Sequence, residues 1–439
     1  MMSKLKLIFL AIPLSFIFNV NIHAQSTGML EEVVVTAQKR EESLQDAPIA
    51  ITAITESTID DLDIANVVDL AGMAPNVHII NTPSNNTAAT IAMRGGTTIN
   101  PAITWEPTVG MYLDGVYLGK GQGAIFDTVD LERVEILRGP QGTLYGRNTL
   151  GGAINLISKK PSGSGASAKM TLGNYSLNQF QFISDSRVGD NSYFKFSLNT
   201  KNRGGYVSNA ASPYQAAQGV VPNQVSSNSE LDTIDSRGYK FTYMYEGENT
   251  SLTVSHDKND QKNVPPFAQL TNTIPNWSTA FGVGASAATG GLKLWPIELF
   301  ANGERQGIAH NDTLTQELSV VRGTSITYAR DTSLGTVKAI WAKRTTDWSD
   351  RLDLDGGPFP IAETARVTNY DAETFELQLS GSTDKMDYVV GYYALKDNAY
   401  TSNPQSYFGG GTSIGQNYAG RGDSTAIFGQ LTYAIAENW

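Results

Sequence analysis

The chain has 439 residues, of which 42 are glycine, 19 are tyrosine, 17% are charged and none is cysteine. This composition favours an all-β protein with many turns, and the lack of cysteine excludes disulfides and thiolate metal sites. The formal net charge of −11 disfavours nucleic acid as a partner, because phosphate binding requires a basic surface.

The N-terminus has the pattern of a secretory signal peptide. Lys4 and Lys6 precede an apolar stretch at 7–20, and Ile22-His23-Ala24 follows as a candidate cleavage site. A membrane anchor is the alternative, but the stretch is short for a spanning helix. We therefore expect residues 1–24 to be removed on export. Any later membrane role must come from strands, because no other segment is long and apolar enough for a helix.

A short extended segment follows within residues 25–47. Its three valines, Val33, Val34 and Val35, lie between Glu31-Glu32 and Thr36-Ala37. The segment is either an ordinary edge strand or a peptide that adds as a strand to the sheet of a partner. Composition alone favours the edge strand.

Residues 48–161 have the mixed pattern of a compact α+β unit. Ser57 and Asp60 are spaced as a capping pair for a short helix. Strand-like runs follow at 90–93, 109–113, 134–137 and 153–157. Between the last two runs, glycines and a proline predict a series of tight turns.

Beyond Pro161 the chain alternates between apolar and polar residues, as half-buried strands do. Ten runs show this pattern: 166–172, 177–188, 194–199, 239–245, 252–256, 314–320, 337–341, 375–379, 388–393 and 427–433. Short turns alternate with long polar segments at 202–235, 257–313 and 395–424. That alternation is typical of outer-membrane barrels, with short periplasmic turns and long external loops. A soluble sandwich or propeller is the alternative, but its connections would be shorter.

The long segment from Thr128 to Gly146, TVDLERVEILRGPQGTLYG, resembles the plug domain of TonB-dependent outer-membrane receptors. Further matches are Met93-Arg94-Gly95, the segment 109–117 and the segment 151–161. The resemblance continues more weakly into the barrel, at 376–380 and 428–431.

This resemblance implies an all-β fold. It is a transmembrane antiparallel β-barrel, 22-stranded in the family, with an N-terminal α+β plug domain inside it. The domains implied are a signal peptide at 1–24, a TonB box and linker at 25–47, a plug at 48–161 and the N-terminal part of the barrel at 162–439. Because the chain has about half the expected strands, we expect it to be truncated within the barrel.

The function implied is TonB-dependent active uptake of a scarce nutrient across the bacterial outer membrane, most consistent with an iron–siderophore complex. Cobalamin, haem or carbohydrate are alternative ligands, and a passive porin or a secreted β-rich binding protein or hydrolase are alternatives of another class. The implied partners are TonB with ExbB and ExbD in the periplasm, outer-membrane lipid and an extracellular small-molecule ligand. The TonB box would comprise Glu32, Val33, Val34, Val35, Thr36 and Ala37.

The resemblance implies that charged residues of the plug hold it in the polar lumen, because Arg forms directional pairs with carboxylates. Ordinary surface ion pairs are the alternative, and periodicity alone favours them. The candidates are Arg94, Asp130, Glu132, Arg133, Glu135, Arg138 and Arg147. Tight plug turns are expected at Gly95, Gly139, Pro140, Gly142, Gly146, Gly151 and Gly152. Two polar loops of the plug are candidates for the ligand-facing surface, with Asn85, Asn86, Asn100 and Trp105 as the residues concerned. Trp105 would either stack on the ligand or pack under its loop.

An enzyme is not expected. The segment 119–124 fits a dinucleotide fingerprint nominally, but no series of helices and parallel strands surrounds it. His78, His256 and His310 form no close pair with metal-ligand spacing, so they are interpreted as lone polar histidines. We therefore predict no catalytic residue, no metal site and no cofactor.

Overall fold

The described part of the chain is given by a computed structural model. It covers residues 33–64, 66–82, 85–98, 102–125, 130–209, 229–266, 269, 271–272, 302–357, 361–408 and 410–435. The predicted signal peptide, Glu32 and Asn100 lie outside the described residues.

The N-terminal part folds into an α+β unit built on a five-stranded sheet in the order β3-β9-β10-β7-β8. All its pairs are antiparallel except β10 with β7. Its buried core is aliphatic and includes Ile79, Met93, Ile136, Ile154 and Leu156. The elements are β1 Val34–Val35, β2 Glu42–Ser43, β3 Ile51–Thr55, α1 Glu56–Asp61, a 3-10 turn Val67–Leu70, β4 Val77–Asn81, β5 Ala89–Met93, β6 Gly96–Thr97, β7 Val109–Leu113, β8 Val116–Tyr117, β9 Leu131–Arg138, α2 Gly142–Tyr145 and β10 Gly152–Ser158.

The predicted capping pair is wrong, although a short helix does form there. The N-cap of α1 is Thr55, so Ser57 and Asp60 lie inside the helix. A capping box exists instead at the following 3-10 turn, between Asn66 and Asp69. Both pairs have the same three-residue spacing, so local sequence did not distinguish them.

The C-terminal part is a ten-stranded antiparallel sheet, which we call the barrel wall. Its strands follow chain order, and β11 and β23 are its two edges. The strands are β11 Gly165–Gly173, β12 Leu177–Arg187, β13 Ser192–Arg203, β16 Ile234–Glu246, β17 Thr250–Asn263, β19 Gln316–Thr332, β20 Gly335–Asp353, β21 Ala362–Thr383, β22 Met386–Tyr407 and β23 Thr412–Tyr433. The two long loops add a small sheet of β14 Val207–Asn209, β15 Glu230–Leu231 and β18 Ile308–Ala309.

All ten predicted strand runs fall in this wall, but most of the strands are longer than predicted. The long loop expected at 395–424 is wrong, because β22 and β23 pair continuously through it and leave only 408–411 as a turn. The polar side chains of this segment do not prevent its strands from pairing. Backbone hydrogen bonds carry a ladder whether or not the side chains are apolar.

The two faces of the wall have opposite chemistry. On β21, Phe375 and Leu377 are exposed at 40% and 42%, whereas Glu376 and Gln378 between them are 4% and 3% exposed. Apolar residues thus face outward and polar residues face the interior, the inverse of a soluble protein and the pattern of a lipid-facing barrel. Among the described residues, no helix combines the length and apolar character needed to cross a bilayer.

The α+β unit packs on this polar inner face, and we call it the plug. Tyr117 and Leu137 of the plug share a buried cluster with Tyr370 and Leu395 of the wall. Val116 of the plug forms a second buried cluster with Ile340 and Ala342 of the wall. Ion pairs and hydrogen bonds between plug and wall add to these apolar contacts, and they define the candidate site.

Candidate functional site

Residues 33–44 form a docked hairpin between plug and wall, which we call the coupling segment. Its strand β1 pairs antiparallel with β2. Val35 and Ala37 are buried at 0% and 1% exposure, whereas Val34 is 44% exposed. Strand addition to a partner through these valines therefore requires the segment to leave its present position.

The segment is anchored on the plug by Glu135, a fully buried carboxylate. The backbone N–H of Thr36 donates to Glu135 Oε1 at 2.7 Å, and its hydroxyl donates to the same atom at 3.1 Å. Arg133 Nε and Asn155 Nδ2 also donate to Glu135, at 2.9 and 3.2 Å. Buried charge-assisted bonds of this kind are strong, because no water competes for the carboxylate.

Two basic residues anchor the same segment on the wall. Lys39 Nζ lies 3.1 Å from Glu376, and Arg40 lies 2.8 Å from Asp387. Lys39 also sits 5.1 Å from the ring centre of Tyr145, within range of a cation–π interaction. The coupling segment therefore contacts both the plug and the wall.

Two of the predicted plug–wall residues do make ion pairs across that interface. Asp130 lies 2.7 Å from Lys195, with both side chains less than one-tenth exposed. Arg147 lies 3.4 Å from Asp397 of the wall. Each pair joins residues far apart in sequence.

The other predicted contact residues lie elsewhere. Glu132, Arg133 and Glu135 bond to one another or to Thr36, inside the plug and coupling segment. Arg94 is exposed, and its guanidinium lies beside Gly139 of the plug. Arg138 is half-buried, and its Nε has no hydrogen-bond partner among the described residues.

Sequence analysis missed several plug–wall contacts, including those of Asp114 and Glu317. Lys240 donates to Asp114 Oδ2 at 2.5 Å, and the charge of Lys240 lowers the pKa of Asp114 although burial opposes this. Glu317 of the wall accepts the backbone N–H groups of Asn86 and Thr87 at 2.7 and 3.1 Å. The Asp114-Gly115 dipeptide signals a turn, but no local signal identifies its partner 126 residues away.

The turn glycines are largely where the motif places them. Gly139 has φ +103°, and Gly152 has φ +151° with an ideal Cβ only 2.2 Å from the Leu137 carbonyl oxygen. Only glycine fits such a position. Gly95 and Gly146 also have positive φ, Pro140 follows the turn at Gly139, Gly142 opens α2 and Gly151 packs against Met93.

The plug apex carries Trp105, which is 56% exposed beside a small cavity that Lys120 also lines. Lys120 Nζ lies 2.9 Å from Glu106, and Arg147 lies 3.0 Å from the other oxygen of that carboxylate. Burial opposes ionisation, but Lys120 and Arg147 hold the pKa of Glu106 below its usual range. Trp105 is thus an exposed aromatic surface above a fixed network of charges.

Two of the three asparagines predicted to face a ligand lie among the described residues, and they are buried or bonded to the wall. Asn85 is fully buried, and its N–H donates to the Thr82 carbonyl at 3.0 Å. Asn86 contacts Glu317 and lies 3.4 Å from Asp232, beside a polar cavity of about 150 Å³ between plug and wall. Their placement fits anchoring of the apex loop better than contact with an external ligand.

No group of three or more His, Asp or Glu side chains in the described part of the chain is placed to hold a metal. His78 is exposed, and His256 hydrogen-bonds to Thr324 at 2.9 Å on the wall.

Residues 43–153 match the family model of the TonB-dependent receptor plug domain. The matched segment covers the five-stranded plug sheet up to the first residues of β10. It also includes Glu135, on which Thr36 is anchored.

Curated relatives match over part of the chain. The vitamin B12 transporter BtuB of Vibrio vulnificus (strain YJ016) is 22% identical over 245 residues, covering 54% of this chain and 39% of the relative. The catecholate siderophore receptor Fiu of Escherichia coli (strain K12) is 34% identical over 133 residues, covering 29% of this chain and 16% of the relative. The chain spans less than half the length of these relatives.

Among solved structures, the ferric yersiniabactin uptake receptor FyuA from Yersinia pestis superposes with a TM-score of 0.62 at 16% identity. The superposition covers 89% of this chain and 63% of FyuA. At that identity the likeness concerns the fold, which includes both plug and wall. Together these matches identify the chain as related to the TonB-dependent outer-membrane receptors, with their plug domain at residues 43–153 and their barrel fold in the wall.

Proposed function

We propose that this protein takes up a scarce nutrient across the bacterial outer membrane. In this proposal the coupling segment undocks, and an energised partner protein binds it and pulls on it. The observation that supports this most directly is the docking of Thr36 on Glu135 and of Lys39 on Glu376. A passive pore has no need of a short peptide anchored on both plug and wall. A peptide that a partner pulls must be held in place until it is needed.

In the proposed cycle, ligand binds at the plug apex and the coupling segment leaves its position. Val33, Val34 and Val35 then add as a strand to the sheet of TonB, whose backbone hydrogen bonds provide a grip along the chain axis. ExbB and ExbD supply the force from the proton gradient. The bonds between plug and wall are polar and directional, so they hold the plug at rest but break under load more readily than a continuous apolar interface.

We propose an iron–siderophore complex as the ligand. Fiu is named as a catecholate siderophore receptor and FyuA as a ferric yersiniabactin uptake receptor. The exposed ring of Trp105 suits stacking on a flat aromatic or conjugated ligand. Iron would enter as cargo within its organic chelator, so a protein metal site is not required. Cobalamin is the second candidate, because a vitamin B12 transporter aligns over 54% of the chain.

The coupling step can be tested by uptake of radiolabelled nutrient into cells. We expect Val34→Pro, which removes a backbone N–H from β1, to abolish accumulation above the external concentration. Val34→Ala is the matched control, because it shortens the same side chain and keeps the N–H. Undiminished uptake in Val34→Pro cells, or in cells whose proton gradient is dissipated, would identify a passive porin instead.

The ligand can be tested with the same cells. Growth on ferric siderophores as sole iron source should depend on the protein, and Trp105→Ala should raise the half-saturation concentration about tenfold, as the loss of one stacking contact does. Trp105→Phe should restore most of the affinity. Dependence of vitamin B12 uptake but not iron uptake on the protein would transfer the proposal to cobalamin.

A further inference from the structure

We infer that Asn148 and Asn155 are positioning residues, which link the charges at the plug apex to the bond that docks the coupling segment. This inference rests on the proposed function and assigns its internal coupling to particular side chains. The evidence is an unbroken series of hydrogen bonds and ring contacts from Lys120 to Thr36.

At the apex, the series begins at the cavity beside Trp105. Lys120 Nζ binds Glu106 at 2.9 Å, and the other oxygen of Glu106 accepts from Asn148 Nδ2 at 2.5 Å. The same Nδ2 donates its second hydrogen to Tyr117 Oη at 2.7 Å. One amide nitrogen therefore bridges a half-exposed carboxylate and a buried tyrosine.

At the other end, Asn155 makes the same pair of contacts. Its Nδ2 donates to Tyr145 Oη at 2.7 Å and to Glu135 Oε2 at 3.2 Å. Glu135 in turn accepts from Thr36 of the coupling segment. Each asparagine thus joins one tyrosine to one carboxylate, and the two carboxylates lie at the two functional ends of the plug.

Three tyrosines whose rings meet in tilted and edge-on contacts connect the asparagines. The rings of Tyr112 and Tyr117 are 5.5 Å apart, those of Tyr112 and Tyr145 are 5.1 Å apart, and Tyr112 Oη donates to the Tyr145 carbonyl at 2.8 Å. The Lys39 ammonium of the coupling segment lies over the ring of Tyr145. A shift of these rings would therefore reach the segment at Lys39 as well as at Thr36.

The coupling segment has two positions, docked and undocked, and the series of contacts can shift the equilibrium between them. A ligand that competes for Lys120 frees Glu106, which then draws on Asn148 and Arg147. Asn148 can satisfy Glu106 more fully only by loosening its bond to Tyr117. At Tyr117, which is buried, the alternatives are discrete, because side chains close-packed around a polar group do not deform continuously.

Maleimide labelling of Val35→Cys tests the inference. The 439-residue sequence has no cysteine, and Val35 is fully buried in the docked state, so labelling requires the segment to leave that position. The rate is measured on the protein in isolated membranes, without partner or ligand. Asn148→Gly is the test variant, since Asn148 has φ +66° and glycine accepts that backbone.

Asn76→Gly is the matched control, because Asn76 is an exposed plug asparagine with φ +59° outside the series. We expect Asn148→Gly to label about fivefold faster than the parent, the factor that corresponds to one net hydrogen bond, and Asn76→Gly to label at the parental rate. Tyr117→Phe, which keeps the ring but removes the acceptor of Asn148, should also accelerate labelling.

Equal rates in Asn148→Gly, Tyr117→Phe and Asn76→Gly would overturn the inference. Thr36→Val, which removes a bond of the docked segment directly, separates this failure from a failure of the proposed function. If labelling is faster in Thr36→Val alone, docking of the coupling segment is supported and the role of the asparagines is rejected. If Thr36→Val is labelled at the parental rate, the proposed docking of the coupling segment is contradicted as well.

Discussion

The amide nitrogen of Thr36 lies 2.7 Å from Glu135 Oε1, although the two residues are 99 positions apart. Glu135 is fully buried, so it serves the coupling segment and the plug interior rather than solvent. The resting position of the segment is thus set by the plug, while Lys39 and Arg40 add contacts to the wall.

Replacing Glu135 by Gln should release the coupling segment. The amide keeps an acceptor for Thr36 but loses the charge that strengthens the bonds from Thr36 and Arg133. We expect Val35→Cys to be labelled about tenfold faster in this background, as loss of a hydrogen bond to a charged group implies. Glu132→Gln is the control, because Glu132 is a 41%-exposed carboxylate that pairs with the same arginine. Equal labelling rates would show that Glu135 does not hold the segment.

Asp130→Asn should weaken the attachment of plug to wall. Asp130 and Lys195 are both buried at 2.7 Å, so the variant leaves a buried ammonium with weaker partners. We expect a loss of ~2 kcal/mol in the free energy of unfolding, measured by urea denaturation in detergent micelles. Asp63→Asn is the matched control, since Asp63 also has positive φ and pairs with Lys169 at 2.9 Å, but both side chains are exposed. That variant should change stability by less than ~1 kcal/mol, and a comparable loss in both would contradict the prediction.

Gly152→Ala should destabilise the plug. A Cβ at this position would lie 2.2 Å from both the Leu137 carbonyl oxygen and Met93 Sδ, at a φ of +151°. We expect a loss of ~3 kcal/mol or more, or failure to accumulate folded protein. Gly142→Ala provides the comparison, because it lies at the start of α2 with no atom within 4 Å and should be neutral or slightly stabilising. The melting temperatures of the two variants decide the question.

Two aspartates on the loop side of the wall should make stability fall as pH rises. Burial and the neighbouring carboxylates Asp353 and Glu363 raise the pKa of Asp312 to about 7, and burial raises that of Asp355 to about 7 as well. The folded state therefore binds these protons more tightly than the unfolded state, whose aspartates titrate near ~4. The electrostatic penalty is full above pH ~7 and disappears as pH falls toward ~4.

The double variant Asp312→Asn with Asp355→Asn removes both titrating groups. It should melt at a higher temperature than the parent at pH 8, and this difference should shrink at pH 5. A difference independent of pH would show that the two carboxyl groups do not titrate in this range.

Sequence patterns predicted the strands of the wall more accurately than the ion pairs between plug and wall. The ten alternating runs predicted the wall because each strand carries its own period-two pattern. The family resemblance, by contrast, implied a role in plug attachment for Arg138. Its Nε is buried without a partner among the described residues, whereas the unforeseen Asp114 pairs with Lys240. The sequence around a charged residue does not identify the residue with which it forms an ion pair.

By itself, the sequence determined the elements: alternation specified the strands, the glycines specified the turns and the motif from Thr128 to Gly146 specified the plug. Only the tertiary structure decided the pairings, including Thr36 with Glu135, Asp130 with Lys195 and the matching roles of Asn148 and Asn155. The physical reason is that patterns of burial and turn geometry arise within a few residues. Ion pairs across an interface depend instead on the register of strands and on the seating of one folded body inside another.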